Sequence, residues 1–268
     1  MDKKNHYLLL LKEPSKKLFM NYISTNHIYC KNISEIYMNC DFVLFGTGSS
    51  NFEKENMVKV LKFNLKIIAV IDHLTDFKNR FLFNKYRIIP DKILVFDQII
   101  FKYLKGSHKI VKLPNYYLED LKKKFLNFNV QSKNLLFIGE PFKKKLNSKS
   151  IDQNGLRYLA KTLKKLKFLN KMNLVIRLHP KQIMSDFLNY RRIIKKVNPE
   201  LNILLDKNKE LYKSLKSAKF VFGLTSYALL LSANLKIKTF HCLTGNQKVK
   251  PLPSKKILGL DKFFAKNL

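Results

Sequence analysis

Five consecutive residues, Arg177-Leu178-His179-Pro180-Lys181, bring a guanidinium, an imidazole and an ammonium group close together. The apolar run at 174–176 before them predicts a buried strand. Proline has no backbone N–H and ends a strand ladder, so His179 is expected at the carboxyl edge of a sheet. Ligands of open α/β sheets bind at that edge. Two interpretations are open here: a cationic anion-binding site, or a solvated strand end with a capping histidine.

A second segment, 219–235 (KFVFGLTSYALLLSANL), has the pattern of a strand that leads into a buried helix. Gly223 permits close approach of another backbone, and Thr225 and Ser226 stand where a helix would begin. The free N–H groups and the dipole at a helix start favour a phosphate or another anion. The alternative is an ordinary capped core helix.

The stretches LHPKQ (178–182) and ELYKSLKSAKFVFGLTSYALLLSANLKIKTF (210–240) resemble the C-terminal half of glycosyltransferases with two Rossmann-like domains, the GT-B fold. They are most similar to bacterial sialyltransferase and polysialyltransferase-like families and to wall-polymer glycerophosphotransferases. The resemblance implies that His179, and Ser226 with Thr225, contact the donor phosphates. Those families carry Glu-Ala where this chain has Ser232-Ala233, and Gly where it has Lys236. The predicted donor-phosphate set is Arg177, His179, Lys181, Gly223, Thr225 and Ser226.

The N-terminal half offers candidates for acceptor binding and catalysis. The apolar run at 67–71 is followed by Asp72 and His73, which we predict as the catalytic pair because either could take a proton from an acceptor hydroxyl. Further candidates for a ligand cleft are Arg80, which follows the same predicted strand, and Gly48, Ser49 and Glu140, which follow other predicted strands. The alternatives are helix capping by Asp72 and Asp76 with Arg80 paired to one of them, a plain loop at 48–49 and a plain turn at Glu140.

Apolar runs alternate with amphipathic segments along most of the chain, which predicts parallel sheets built from βαβ units. In the segment 151–167 the apolar residues form one stripe and the lysines lie opposite. The predicted fold class is α/β, with two Rossmann-like domains at 1–130 and 131–268 whose sheets face a cleft. Strands are predicted at 7–11, 27–30, 42–46, 67–72, 93–96, 108–111, 135–139, 174–178, 202–205, 220–223 and 239–242.

The chain of 268 residues has a formal net charge of +33, yet only six of its 52 basic residues are arginine. Either the codon bias of an AT-rich genome or an anionic partner accounts for so many lysines. Specific nucleic-acid binding is not expected, because arginine dominates bidentate phosphate and guanine contacts. The three dispersed cysteines match no zinc site and favour a reducing compartment. No apolar run approaches a membrane span, so we expect a cytoplasmic protein, with peripheral contact to an anionic inner leaflet as an open alternative.

No D-x-D motif occurs, so a metal-bridged donor site is not expected. The P-loop and G-x-S-x-G motifs are also missing, which disfavours a P-loop enzyme and an α/β-hydrolase. No cofactor is expected, and the nucleotide sugar is a co-substrate. The predicted function is metal-independent transfer of a sugar from a nucleotide donor to a surface glycan or lipid acceptor, with a sialic-acid-like sugar as one candidate. Two alternatives remain. One is a nucleotide-sugar 2-epimerase-like enzyme, and the other is a non-enzymatic polyanion-binding protein on a decayed transferase fold.

Overall fold

The computed structural model forms two compact units, residues 1–114 and 115–268. The unit boundary lies before the predicted division at 130, because the helix at 116–125 contacts the helix at 211–216 in the second unit. The described residues are 7–10, 27–30, 32–37, 40–48, 51–71, 77–104, 106, 109–125, 134–141, 151–166, 169, 171–244 and 249–265.

The N-terminal unit is built mainly from parallel strands. Within its described residues, four strands pair in the order β3-β4-β7-β8, and β1 pairs separately with β2. A short antiparallel hairpin is formed by β5 and β6. The strands are β1 (Tyr7–Leu9), β2 (His27–Tyr29), β3 (Phe42–Gly46), β4 (Lys66–Ile71), β5 (Leu82–Phe83), β6 (Tyr86–Arg87), β7 (Lys92–Val95) and β8 (Ile110–Lys112). The helices are α1 (Ser34–Tyr37), α2 (Asn51–Leu61), α3 (Phe77–Arg80) and α4 (Gln98–Leu104).

The C-terminal unit contains one parallel sheet. Its described strands are β9 (Asn134–Ile138), β10 (Asn173–Arg177), β11 (Ile203–Leu205), β12 (Ala218–Gly223), β13 (Lys238–His241) and β14 (Ile257–Gly259). They lie in the order β11-β10-β9-β12-β13-β14, which is the 3-2-1-4-5-6 order of a dinucleotide-binding sheet. The order reverses between β9 and β12, where such sheets bind their ligands. The helices are α5 (Tyr116–Phe125), α6 (Ile151–Lys165), α7 (Met184–Val197), α8 (Leu211–Lys216), α9 (Tyr227–Asn234) and α10 (Leu260–Ala265).

The stripe predicted on α6 is confirmed as part of the core. Leu156, Leu159 and Leu163 are fully buried against the sheet, and each such leucine stabilises the fold by about 1.5–3 kcal/mol. Gly155 lets the helix approach the sheet closely, because a Cβ there would lie 2.6 Å from Leu224 Cδ2. The start of α6 is thereby held next to the end of β12.

The expected α/β class with parallel sheets is confirmed in both units. The backbone at position 236 favours the glycine that the resembling families carry, although this chain has lysine there. Lys236 has φ +63°, in the left-handed region that glycine adopts most readily. Among the described residues, no helix is both long and apolar enough to cross a membrane.

Candidate functional site

Three strand ends meet at the point where the strand order of the C-terminal sheet reverses. Arg177 at the end of β10 pairs with Ile138 at the end of β9. On the other side of β9, Phe222 pairs with Phe137, so Gly223 is level with Ile138. The segments that leave these strands therefore emerge at one edge.

Gly223 has no room for a side chain. A Cβ at this position would lie 3.0 Å from Leu229 Cδ2 and 3.3 Å from the carbonyl oxygen of Ile138. The predicted close backbone approach therefore occurs here, between the end of β12, the end of β9 and the first turn of α9.

Thr225, which lies just before α9, binds a carboxylate of the same chain. The backbone N–H of Thr225 donates to Glu140 Oε2 over 2.9 Å, and the Thr225 hydroxyl donates to Oε1 over 2.6 Å. Thr225 is buried, and Glu140 is partly buried after β9. The sequence predicts a bound phosphate at this position. In the structure, a carboxylate of the same chain accepts the two hydrogen bonds of Thr225 there.

Ser226 is the N-cap of α9, as its position predicts. Its backbone is extended, and its Oγ accepts a hydrogen bond from the Ala228 N–H over 3.3 Å. A serine hydroxyl also has one hydrogen to donate. Ser226 is partly exposed, so this hydrogen is available to a ligand at the sheet edge.

His179 follows β10 on the other side of β9. Its Nδ1 accepts a hydrogen bond from the Lys181 N–H over 3.1 Å, so the neutral imidazole carries its hydrogen on Nε2. Burial lowers the pKa of His179, the Lys181 ammonium adds to this effect, and the Glu140 carboxylate opposes it. A neutral N–H donor is therefore held at the sheet edge, within the electrostatic field of Glu140.

A chain of hydrogen bonds that runs from partly buried to buried residues holds the loop that carries His179. The His179 N–H donates to Gln182 Oε1 over 2.9 Å, and Gln182 Nε2 donates to the Tyr190 hydroxyl over 2.6 Å. Tyr190 in turn donates to Asp152 Oδ2 over 2.6 Å, and both residues are buried. Burial, followed by the bond to Asp152, raises the pKa of Tyr190 far above its usual range.

Gly139 belongs to the same arrangement. A Cβ there would lie 2.5 Å from Gln182 Oε1, so the glycine leaves space for the amide that fixes His179. Gln182, Tyr190 and Asp152 were not among the predicted site residues. Their only signals were a glutamine after the His-Pro pair and a tyrosine on the apolar face of α7.

Arg177 was predicted in the phosphate-binding set, but the structure shows it in a structural contact. Its guanidinium forms a 2.7 Å ion pair with Asp206 and hydrogen bonds to Ser214 and to the carbonyl oxygens of Asn208 and Lys209. Burial alone would raise the pKa of Asp206, but the bonds from Ser214 and Arg177 outweigh it and hold that pKa below its usual range. Arg177 therefore fixes the segment between β11 and α8. The ammonium-bearing Lys181 is exposed.

The candidates of the N-terminal unit are only partly described. Asp72, His73 and Ser49 lie outside the described residues. Arg80 donates through Nη1 to the carbonyl oxygen of Thr47, at the end of β3. Gly48 is exposed next to Glu53, whose Oε1 would be 2.9 Å from a Cβ at position 48.

A separate open pocket of about 490 Å³ lies at the ends of β13 and β14. His241, Asp261 and Lys262 line it together with Ser254 and Lys255. Burial lowers the pKa of His241, Asp261 opposes this effect and Lys262 adds to it. The predicted donor-phosphate residues are absent from the lining of this pocket.

Comparison with solved structures places the chain in the GT-B type of fold. The S. aureus MnaA–UDP co-structure matches with a TM-score of 0.54 and 13% identity, over 97% of this chain and 79% of that chain. The UDP-GlcNAc 2-epimerase from Methanocaldococcus jannaschii matches with a TM-score of 0.52 and 13% identity, over 85% and 73% of the two chains. No family model and no curated protein sequence matches the chain.

Proposed function

We propose that this chain is an enzyme that acts on a nucleotide sugar and binds the donor phosphates at the edge between β10, β9 and β12. The observation that carries the proposal is the carboxylate of Glu140, which accepts two hydrogen bonds from Thr225 and also acts on the pKa of His179. An anionic group thus already contacts one predicted phosphate contact, Thr225, and acts electrostatically on another, His179. The co-structure of the MnaA protein with UDP supports a nucleotide ligand for this fold.

His179 and Ser226 would act from opposite sides of β9. Neighbouring strands lie about 4.8 Å apart, so β10 and β12 are separated by about 10 Å. The diphosphate of a nucleotide is long enough to accept a hydrogen bond from His179 Nε2 at one end and from Ser226 at the other. Lys181 would add a positive charge from solvent, and the positive end of the α9 dipole would favour the other phosphate.

The proposed reaction is transfer of the sugar to a surface glycan or lipid acceptor. An acceptor oxygen attacks the anomeric carbon, the bond from that carbon to the phosphate oxygen breaks, and the acceptor proton passes to a base. Asp72 or His73 is proposed as this base. Hydrogen-bond donors that the protein holds in place stabilise the departing nucleotide without a metal. A lysine-rich surface would also bind an anionic leaflet, by about 1 kcal/mol for each well-placed lysine.

A 2-epimerase activity is the second candidate, because a UDP-GlcNAc 2-epimerase is among the solved structures with a similar fold. Both reactions need the same phosphate contacts, whereas only the transferase needs an acceptor. Incubation with UDP-GlcNAc alone, followed by chromatography, separates the two. An epimer formed without acceptor would contradict the transferase.

The direct test is a thermal-shift screen against CMP-, UDP-, GDP- and CDP-linked sugars. We expect one class of donor to raise the melting temperature, and His179→Ala to abolish the rise. His241→Ala is the matched control, because His241 is a partly buried histidine with a lowered pKa in the same unit. Stabilisation that survives in His179→Ala would contradict the proposed site. Tight binding of nucleic acid without any donor response would favour the polyanion-binding alternative.

A further inference from the structure

Glu140 accepts hydrogen bonds from two donor groups that a bound phosphate would otherwise use. Its two carboxylate oxygens accept from the backbone N–H and the hydroxyl of Thr225, the residue two before the first residue of α9. This is a two-oxygen contact, and a phosphate group could accept the same two bonds with two of its own oxygens. The carboxylate therefore stands in for an anionic ligand at this position.

A phosphate and this carboxylate cannot both bind Thr225. The two donors are already used, and two anions in contact repel each other most strongly where water is partly excluded. Thr225 is 6% exposed, so solvent screens this repulsion poorly. A donor phosphate must therefore displace Glu140 before it can bind Thr225.

We propose that Glu140 is an internal competitor of the donor phosphates and sets the affinity of the site for them. This inference rests on the proposed function, since it concerns the same anion-binding edge. The Glu140 carboxylate stabilises the ligand-free form of the α9 start. It therefore makes phosphate binding weaker than the hydrogen-bond donors of Thr225 would otherwise allow. Glu140 is thus a specificity-determining residue that need not touch the reacting atoms.

Glu140→Gln keeps the size of the side chain and removes its charge. Isothermal titration with UDP, and separately with inorganic pyrophosphate, measures the effect on anion binding. We expect the variant to bind both probes about ten-fold more tightly, because hydrogen bonds to a charged acceptor are about twice as strong as neutral ones and the repulsion is lost. Glu140→Ala, which removes the carboxylate altogether, should show a gain in the same direction.

Glu119→Gln is the matched control. Glu119 is an exposed carboxylate on α5 that pairs with Lys122, so the substitution makes the same change in net charge outside the contact between Glu140 and Thr225. We expect its dissociation constants to stay within about two-fold of those of the unchanged chain, as for an exposed ion pair of little energetic weight. A gain in Glu119→Gln equal to that in Glu140→Gln would assign the effect to net charge and overturn the inference.

The remaining outcomes separate the inference from the proposed function. If the unchanged chain binds UDP and both Glu140 variants bind equally or more weakly, Glu140 is no competitor, while the nucleotide site stands. If Glu140→Gln binds more tightly and adding His179→Ala leaves that affinity unchanged, the competition stands but the shared phosphate site with His179 fails. If neither the unchanged chain nor the Glu140 variants bind UDP or pyrophosphate, both proposals are overturned.

Discussion

The hydroxyl of Tyr190 is the centre of the hydrogen-bond chain that fixes the His179 loop, and Tyr190→Phe removes that hydroxyl alone. Two hydrogen bonds of 2.6 Å are lost, one from Gln182 and one to the carboxylate of Asp152. Tyr190 is 1% exposed and Asp152 is 8% exposed, so water replaces neither bond well. The substitution leaves the buried carboxylate oxygen of Asp152 and an amide N–H of the partly buried Gln182 without this partner.

The expected cost follows from these two bonds. A buried group left without its partner costs about 1–3 kcal/mol, and a charged group costs more. We expect Tyr190→Phe to lower the free energy of unfolding by about 3–4 kcal/mol, which is above the usual effect of a point substitution. Urea unfolding followed by circular dichroism measures the change. Because Gln182 then holds His179 less firmly, donor binding should weaken as well.

Tyr212→Phe is the matched control, since Tyr212 is partly exposed and its ring lies under the ammonium groups of Lys124 and Lys216. Its loss of a hydroxyl should change stability by less than about 0.5 kcal/mol. Combining Tyr190→Phe with Asp152→Asn should cost less than the sum of the single changes, because each breaks the same bond. A cost below about 1 kcal/mol for Tyr190→Phe, or additive costs, would refute the reasoning.

Three further results are expected. Arg177→Ala should destabilise the protein by about 3–5 kcal/mol, measured by urea unfolding, because it leaves the buried carboxylate of Asp206 without its ion-pair partner. A small loss of stability together with lost nucleotide-sugar binding would indicate instead that Arg177 binds the phosphates. Gly223→Ala should weaken UDP binding and lower the melting temperature, because the new Cβ meets Ile138 and Leu229; unchanged binding would show that the close approach is not needed. The folded protein lowers the pKa of His179, so the stabilisation from its neutral form is present above the unfolded pKa of about 6.5 and is lost as the pH falls. Between about pH 7 and pH 5 the unchanged chain should therefore lose more stability than His179→Asn, and an equal loss in thermal melts would contradict this assignment.

Much of the fold could be predicted because an apolar run flanked by turn residues usually forms a buried strand. The strands β4, β9, β10 and β12 are such runs, and each was predicted to within about two residues. The hairpin of β5 and β6 was missed. Its turn residues Asn84 and Lys85 both have positive φ, as a tight hairpin requires, but the pair lacks the glycine that usually signals it. The strand β14 was also missed, because its sequence ILG has only two apolar residues before a glycine and no longer apolar run marks it.

Site residues could be predicted where a polar side chain directly follows a strand. Hydrogen-bond and ion-pair partners that lie far away in the sequence could not. His179, Thr225, Ser226 and Glu140 all follow strands directly, so sheet topology alone brings them to one edge. The partners of Arg177 could not be foreseen in this way. Asp206 and Ser214 lie 29 and 37 residues further along the chain, and they reach Arg177 only because β11 pairs with β10.

The bond between Tyr190 and Asp152 shows the same limit, since 38 residues separate the two. On the sequence, Tyr190 is one more apolar position of α7, and Asp152 is an acidic residue in the first turn of α6. Only the packing of α6 against α7 on one face of the sheet gives them a shared role.

A double-mutant cycle on UDP binding tests the central claim most directly, because it asks whether His179 and Ser226 hold one ligand. Dissociation constants are measured by titration for the unchanged chain, His179→Ala, Ser226→Ala and the double variant. If both groups bind the same diphosphate, each single change should weaken binding, and the two effects should couple by about 0.5 kcal/mol or more. Effects that add independently, or UDP binding untouched by either change, would contradict a shared phosphate site.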